Sequence, residues 1–362
     1  MNLPTSPIAP KKRLAKYREV EKVLRQEIDA GLWRAGDRLP GEYDLAERFG
    51  VSYLTMRQAI ACLVHEGMLL RVRGKGTFIV DRTQNDVLQA TTTHPMALVF
   101  PTNWQRRDPY YFPEVLEGFQ REMEARGHQT PLVHDNVAGT PGVLPPGSAV
   151  ACLLSDDVHL QLVEQLRDQG HLVLGINRYT GRRVVPSVRI DDPYGVEQVV
   201  EYLVSLNHRR ISFVCGPSIN FDAIGRLQGF RSAVKRFGLK HANEAGDDYS
   251  EASGYAAAQM LLSLPSPPTA IVCASDLSAI GVMRAAGDLH VNIPNDLSVV
   301  GYGDFPVAHY VRPSLTTIRQ DRLSLGQSAA QSLVRLANDE TVQDVVLTPS
   351  LILRESTAQN GQ

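Results

Sequence analysis

Cysteine is scarce in this chain. Its 362 residues hold four, Cys62, Cys152, Cys215 and Cys273, each tens of residues from the next, so no CxxC pair exists for zinc or thiol exchange. They read as small buried apolar residues in a reducing compartment. No apolar run approaches the ~18 residues of a membrane span, and Met1–Pro10 lacks the apolar core of a secretory signal. The expectation is a soluble cytoplasmic protein with no membrane partner. Catalytic patterns are absent as well. Ser155-Asp156 with His159 has no nucleophile-elbow glycines, the scattered histidines form no HExxH, and no GxGxxG opens a helix. Gly74-Lys75-Gly76-Thr77 brushes against a phosphate-loop pattern, but position 70 is Leu where that loop needs its first glycine. Beyond residue 96 the lysines are Lys235 and Lys240, which flank a helix end, so no Schiff-base lysine stands out. No enzyme, cofactor or metal is expected.

Net charge is also small, at −2, but this value hides an asymmetry. Residues 1–82 carry 15 Lys and Arg against 10 Asp and Glu, a balance of +5, which leaves 22 against 29, or −7, for 83–362. A small basic head on a large acidic body predicts a polyanionic partner for the head. Hydrophobic residues at 43% and charged ones at 21% are ordinary globular usage, which sets aside collagen-like, coiled-coil and wholly disordered chains.

Asp81–Pro95 is polar, Thr-rich and without periodicity, and reads as a linker; residues 1–13, with Pro4, Pro7, Pro10 and Lys11-Lys12-Arg13, read as a disordered tail or a basic arm. The chain then divides into a head at 14–80 and a body at 96–357. Short apolar runs in the body (Met96–Phe100, Ala149–Leu154, Leu172–Ile176, Ile211–Cys215, Ala270–Ala274, Leu297–Gly301) alternate with amphipathic helical stretches. All-apolar strands separated by helices predict an α/β fold with doubly wound parallel sheets, and about 265 residues suffice for two lobes.

In the head, Tyr17, Val20, Leu24 and Ile28 recur at helical intervals, and Asp44–Phe49 gives a short second helix. Gly50 and Val51 form a tight turn into Ser52, whose hydroxyl is placed to cap a third helix running to His65. Met56, Ile60 and Leu63 put that helix on the core, leaving Tyr53, Thr55 and Arg57 to face outward. This is the helix-turn-helix plan, in which the start of the last helix meets base edges in the major groove. Alternating strands around Arg73, Gly74, Lys75 and Gly76 add a hairpin with a cationic tip, suited to a phosphate ridge or the minor groove.

Asp37-Arg38-Leu39-Pro40-Gly41-Glu42, Leu45-Ala46, Val51-Ser52, Thr55-Met56-Arg57-Gln58-Ala59-Ile60, Glu66-Gly67 and Gly74-Lys75-Gly76-Thr77-Phe78 resemble the GntR-type winged helix-turn-helix. The resemblance implies DNA contacts from Arg38, Glu42 and Tyr43, from Ser52, Tyr53, Thr55 and Arg57, and from the wing at Arg73–Gly76. The family commonly has Arg where this chain has Tyr43 and Tyr53. Tyrosine cannot make the bidentate guanine contact of Arg, so the operator is expected to differ at that base.

The body resembles the LacI/GalR sensor domain, of periplasmic-binding-protein type. Asn207-His208-Arg209-Arg210-Ile211, Arg226-Leu227-Gln228-Gly229-Phe230, Asp276-Leu277-Ser278-Ala279-Ile280-Gly281, Leu297-Ser298-Val299-Val300-Gly301-Tyr302 and Pro313-Ser314-Leu315-Thr316-Thr317-Ile318 carry the match. It implies an effector cleft between two lobes, with Tyr111, Phe112, Arg226, Tyr249, Ser275, Asp276 and Asp304 as candidate lining residues. Four of these have a structural alternative: Arg226 as an ion-pair partner, Asp276 as a helix cap, Tyr249 as a packed aromatic and Asp304 as a turn residue. The family usually has Asn-Asp at Ser275-Asp276 and Gly-Tyr-Asp-Asp at Gly301-Tyr302-Gly303-Asp304. Either the ligand is not a plain sugar, or other residues supply those contacts.

Asp135–Ser148 stands where the family has a crossover helix, and its prolines and glycines rule that helix out. The expectation is a sheet face left for something else, such as a partner subunit, to cover. The two halves together resemble the arabinose-repressor architecture. They imply a ligand-responsive repressor that binds double-stranded operator DNA as a homodimer and answers to a small, carbohydrate-like effector. The alternatives are a DNA-binding regulator with a vestigial pocket and a solute-binding protein.

Overall fold

The computed structural model describes residues 11–29, 32–33, 37–65, 69–72, 76–79, 92–102, 110–153, 156–177 and 185–361. They fall into two compact units, Met1–Ala90 and Thr91–Gln362.

In the first unit, helix α1 (Lys11–Asp29) starts inside the segment expected to be a disordered tail. Lys, Arg, Leu and Ala are strong helix formers, and Pro10 stands just before the first turn, so the helix takes in Lys11-Lys12-Arg13. Helices α2 (Glu42–Arg48) and α3 (Tyr53–His65) follow. Strands β1 (Leu69–Val72) and β2 (Gly76–Ile79) pair antiparallel, with Leu69 opposite Ile79 and Val72 opposite Gly76. The sequence did not reveal that Asp37–Leu39 lies along β2. Leu39 N donates to Thr77 O (2.8 Å) and Ile79 N to Asp37 O (2.9 Å), bringing Arg38 beside the hairpin. Val20, Leu24, Leu39, Leu45, Met56, Ile60, Leu63, Leu69 and Ile79 form one core, so the expected apolar stripes of α1 and α3 meet.

The second unit has two sheets. In chain order its first lobe contains β3 (Met96–Phe100), α4 (Tyr111–Ala125), β4 (Leu132–His134), α5 (Asp135–Ala138), β5 (Ala149–Leu153), α6 (Asp157–Asp168), β6 (Leu172–Ile176) and β7 (Ser187–Ile190). The chain crosses at Asp191 into the second lobe. This comprises α7 (Asp192–Ser205), β8 (Ile211–Val214), α8 (Phe221–Phe237), β9 (Glu244–Ala245), α9 (Glu251–Leu262), β10 (Ala270–Cys273), α10 (Asp276–Asp288), β11 (Ser298–Gly303), α11 (Val307–Tyr310) and β12 (Thr316–Arg319). It returns through α12 (Arg322–Ala337) and β13 (Val345–Leu347) to the first sheet and ends with β14 (Ser350–Ile352) on the second.

The strand orders are β13-β7-β6-β5-β3-β4 and β14-β12-β11-β10-β8-β9, and every pairing except β12 with β14 is parallel. Each order reverses direction once, between β3 and β5 and between β8 and β10. Such switch points, beyond the carboxyl ends of the strands, are where open α/β sheets bind ligands. Helices α4 and α12 approach backbone to backbone. A Cβ at Gly118 would strike Leu323 O, and one at Gly326 would strike Val115 O, so both positions exclude a side chain.

The expected uncovered sheet face is covered from within the chain. Only one short turn of helix, α5, forms in 135–148, but Ala138 and Leu144 are buried beside Val99, Val150, Cys152 and Val163. Gln165 of α6 and Gln169, the residue just after that helix, both donate to Gly139 O, at 3.0 and 2.8 Å, and hold the loop down. An irregular segment can seal a sheet when its few apolar side chains point inward and its backbone finds side-chain partners.

Residues 81–91 of the expected linker lie outside the described residues, and its last part belongs to the body. His94 N donates to Ala337 O (3.1 Å), and its ring nitrogens meet Gly147 O (2.7 Å) and Asp339 Oδ1 (2.8 Å).

Candidate DNA-binding surface and effector cleft

The start of α3 is built by its cap. Thr55 N donates to Ser52 Oγ at 3.3 Å, and the two hydroxyls lie 2.8 Å apart. This engagement corrects one expectation: Thr55 does not face outward but is buried at 9% exposure, its hydroxyl directed at the cap. Arg57, two residues on, is exposed and forms no ion pair within the described residues; Arg38 and Tyr43 are exposed too. Tyr43 of α2 and Tyr53 of α3 stack with centroids 4.4 Å apart and planes inclined by 17°. The two positions where arginine is common in the family are thus joined into one aromatic plate. The Tyr53 phenol is raised above its usual range, first by its hydrogen bond with Glu42. Gly76 opens β2; Arg73, Gly74 and Lys75 of the wing tip lie outside the described residues.

In the body, Arg226 belongs to helix α8. It lies more than a turn inside α8, which starts at Phe221 under a cap from Asn220 (Ala223 N to Asn220 Oδ1, 2.9 Å). Arg226 is 5% exposed. Its Nε donates to Asp192 Oδ1 (3.0 Å), its Nη1 to Ala274 O (2.6 Å), and its guanidinium lies 4.1 Å from the Tyr302 ring centroid and 5.5 Å from that of Tyr249. Asp192 also accepts from Gln320 Nε2 (3.4 Å). Asp192 and Gln320 stand at two of the crossings between the lobes, so this buried cluster sits on the hinge.

Tyr249 donates its hydroxyl to Asn220 Oδ1 (2.8 Å), and its ring lies where a Cβ on Gly216 would be. Ser275 caps α10, accepting from Leu277 N and Ser278 N and donating to Tyr249 O (3.1 Å). Asp276 is fully buried: Thr317 Oγ1 donates to its Oδ1 (2.5 Å) and Phe305 N to its Oδ2 (2.7 Å). Burial pushes its carboxyl up to about 6, against those two hydrogen bonds. Asp304 directly follows β11 in the left-handed region (φ +54°) and pairs with Arg319 (2.6 Å) and Arg354 (2.5 Å), which hold its carboxyl below the usual range against desolvation.

Tyr111 and Phe112 open α4. Tyr111 is buried; desolvation pushes its phenol well up, followed by the nearby charges of Asp222 and Asp192. Phe112 meets Tyr111 edge-on at 5.5 Å and faces a pocket at the ends of β3, β5 and β6.

Comparison with known proteins matches residues 16–79 to the bacterial regulatory proteins of the gntR family and 200–357 to the periplasmic binding protein-like domain. Over 262 residues, 68% of this chain and 76% of the relative, the sequence is 30% identical to the HTH-type transcriptional repressor PurR of Proteus mirabilis (strain HI4320). The chain belongs to the transcriptional repressors that join a DNA-reading head to a periplasmic-binding-protein-like sensor. The repressor is also 26% identical over 372 residues to the arabinose metabolism transcriptional repressor of Geobacillus stearothermophilus, covering 96% of this chain and 99% of that one. A LacI family transcriptional regulator from Mycobacterium smegmatis superposes with a TM-score of 0.61 at 27% identity, covering 73% of the repressor and 99% of the other chain. These relatives are regulators rather than enzymes.

Sequence reasoning missed the repressor's hinge residues. Arg322, buried at the start of α12, donates from Nε to Glu114 of the first lobe (2.9 Å) and from Nη1 to Gly303 O of the second, and lies over the Phe305 ring. Phe305 stacks on Tyr110 at 5.0 Å. One signal was available: Asp191-Asp192 directly follows the apolar Ile190, and Arg319-Gln320-Asp321-Arg322 follows Ile318, polar clusters at the ends of strands where the chain leaves one sheet for another.

Proposed function

We infer that this repressor works in the cytoplasm as a homodimer on a palindromic operator and is released or engaged by a small effector bound between the lobes of its body. The observation that carries this reading is one chain holding both a winged helix-turn-helix, with Arg57 exposed at its recognition helix, and a two-lobed sensor with three hinge crossings. Arg38, Glu42, Tyr43, Ser52, Tyr53 and Arg57, with the wing at 73–76, are the proposed DNA contacts. Half-sites one helical turn apart suit a two-fold symmetric pair of heads. The full-length similarity to an arabinose metabolism repressor favours a carbohydrate-like effector.

Cleft closure would change the separation of the two heads, a shift between two populated states that requires the effector to bind them with different affinity. Binding of the repressor to its own promoter DNA and to scrambled DNA at ~150 mM salt tests the operator reading. The expected outcome is a preference of at least about a thousandfold for the promoter, and equal affinities would refute it.

A second reading, a DNA-binding regulator with a vestigial pocket, is favoured by the internal engagement of Asp276, Asp304 and Ser275. A metabolite that raises the melting temperature would dismiss it, since ligand binding to the native state alone stabilises that state.

A further inference from the structure

Two aromatic rings stand together at the front of the head. Tyr53 is the first residue of α3 and Tyr43 the second of α2, and the turn at Gly50-Val51 sets the helices so that the rings stack at 4.4 Å with planes inclined by 17°. Neither ring belongs to the head's core, and Tyr43 is 72% exposed. A tyrosine has only two side-chain torsions, and here stacking already restricts them. The pair is a fixed plate with apolar faces in water, and it loses little conformational entropy when something covers it.

In a helix-turn-helix, residues at the start of the recognition helix meet base edges in the major groove. Three neighbours limit what the plate can take there. The Tyr53 hydroxyl is bonded to the Glu42 carboxylate, so its proton is not available for N7 of guanine or adenine. Glu42 and Asp44 flank Tyr43 in the first turn of α2, and carboxylates at that spot repel the phosphate ridge. Arg57 is exposed one turn further along α3 and already supplies the cation that guanine or phosphate needs. What remains for the plate is carbon. The C5-methyl of thymine is the one apolar group that a base pair shows in the major groove.

We propose that Tyr43 and Tyr53 together read the 5-methyl group of a thymine, so that each operator half-site carries a thymine within about two base steps of the base taken by Arg57. The spacing follows from α3 itself: the four residues from Tyr53 to Arg57 rise ~6 Å along the helix, and successive bases lie ~3.4 Å apart. The proposal rests on the reading of the head as an operator reader and names the chemical group that part of it recognises. Because that group is a methyl, 5-methylcytosine satisfies the plate as thymine does.

The test uses the full chain, duplexes that it selects from a random DNA pool, and binding measured by fluorescence anisotropy at ~150 mM salt. Replacing each thymine in turn by deoxyuridine removes the methyl and leaves every hydrogen-bonding group in place. One thymine in each half-site is expected to respond, its replacement weakening binding about three- to fivefold, and about tenfold or more when both half-sites are changed. At the same position a 5-methylcytosine–guanine pair should bind several-fold more tightly than a cytosine–guanine pair. The double variant Tyr43→Ser, Tyr53→Ser should bind thymine and deoxyuridine duplexes equally, whereas Tyr53→Phe should keep the preference, with melting followed by circular dichroism for both. The substitutions in the DNA need no variant, so they carry the test if the double variant does not fold. A selected sequence without a deoxyuridine-sensitive thymine, or a methyl effect that survives in the double variant, overturns the proposal while the head remains the operator reader. So does a preference for unmethylated cytosine at this position, which would make Glu42, accepting from cytosine N4, the group that reads the base. If the repressor selects no preferred sequence from the pool, the operator reading itself fails and the proposal with it.

Discussion

In the head, Arg57 stands exposed on α3 without an ion pair among the described residues; in the body, Arg226 lies buried between Asp192, Ala274 and two tyrosine rings. Both arginines lie in helices, and both matched positions where the respective families contact a ligand. The difference follows from what each region must do alone. A surface made for DNA leaves its donors in water until phosphates and bases replace it, at little cost to the free protein. A hinge between two lobes lies where sheet ends are buried, and a charge removed from water there must be paired at once. The tyrosines divide in the same way, Tyr43 lying open on the head and Tyr249 bonded to Asn220 in the body.

The largest expected effect tests the buried side of this comparison. Arg226→Ala leaves Asp192 charged and without its main partner, and it opens a gap beside Tyr302. The expected cost is about 3–5 kcal/mol, measured as a fall of roughly ten degrees or more in the body's melting midpoint. A midpoint unchanged within about one degree would mean that Arg226 is held in reserve for ligand, as the sequence suggested.

Asp276 gives the next effect, and its sign is fixed by linkage. Its carboxyl titrates at about 6 in the folded body against 3.8 ordinarily, so between those values the native state holds a proton that the unfolded chain has released. Stability contributed by this group is therefore complete below pH 4 and is lost as pH rises through 6, by about 3 kcal/mol at most. In Asp276→Asn that loss should vanish. Denaturant unfolding of both proteins at pH 5 and pH 7.5 should show wild type declining relative to the variant, and parallel profiles would contradict the buried-carboxylate account.

Thr55→Val sharpens the comparison from the other end. The hydroxyl pair with Ser52 is lost in a near-isosteric change, so the head should lose about 1 kcal/mol while its operator affinity stays within twofold. A loss of affinity at unchanged stability would return Thr55 to the DNA contacts.

The head was legible because its signals are local: the Gly50-Val51 turn, the Ser52 cap and the Met56, Ile60 and Leu63 stripe all lie within 14 residues. The parallel strands were legible as apolar runs because both of their faces are covered. Strands β4, β13 and β14 were not, since each has three residues, lies at a sheet edge and shows partly exposed side chains. Helix α12 diluted its core stripe, since between Leu325 and Leu333 the buried positions are the small residues Gly326, Ala329, Ala330 and Ser332. The cleft was the least legible part. Asp192 pairs with Arg226 across 34 positions and Asp276 with Thr317 across 41, so the sequence showed a row of polar candidates without showing which of them face one another. The covering of the first sheet by Leu144 was hidden for a different reason: a proline-rich segment has no periodicity from which an inward side chain could be picked.

We propose that the head keeps its arginine for DNA while the body locks its own into the hinge. The most direct test is operator affinity and melting temperature measured together for Arg57→Ala. Affinity for promoter DNA should fall ten- to a hundredfold, corresponding to about 1–3 kcal/mol, while the melting temperature stays within about one degree of wild type. Unchanged affinity, or a lower melting temperature that accounts for the loss, would contradict the account.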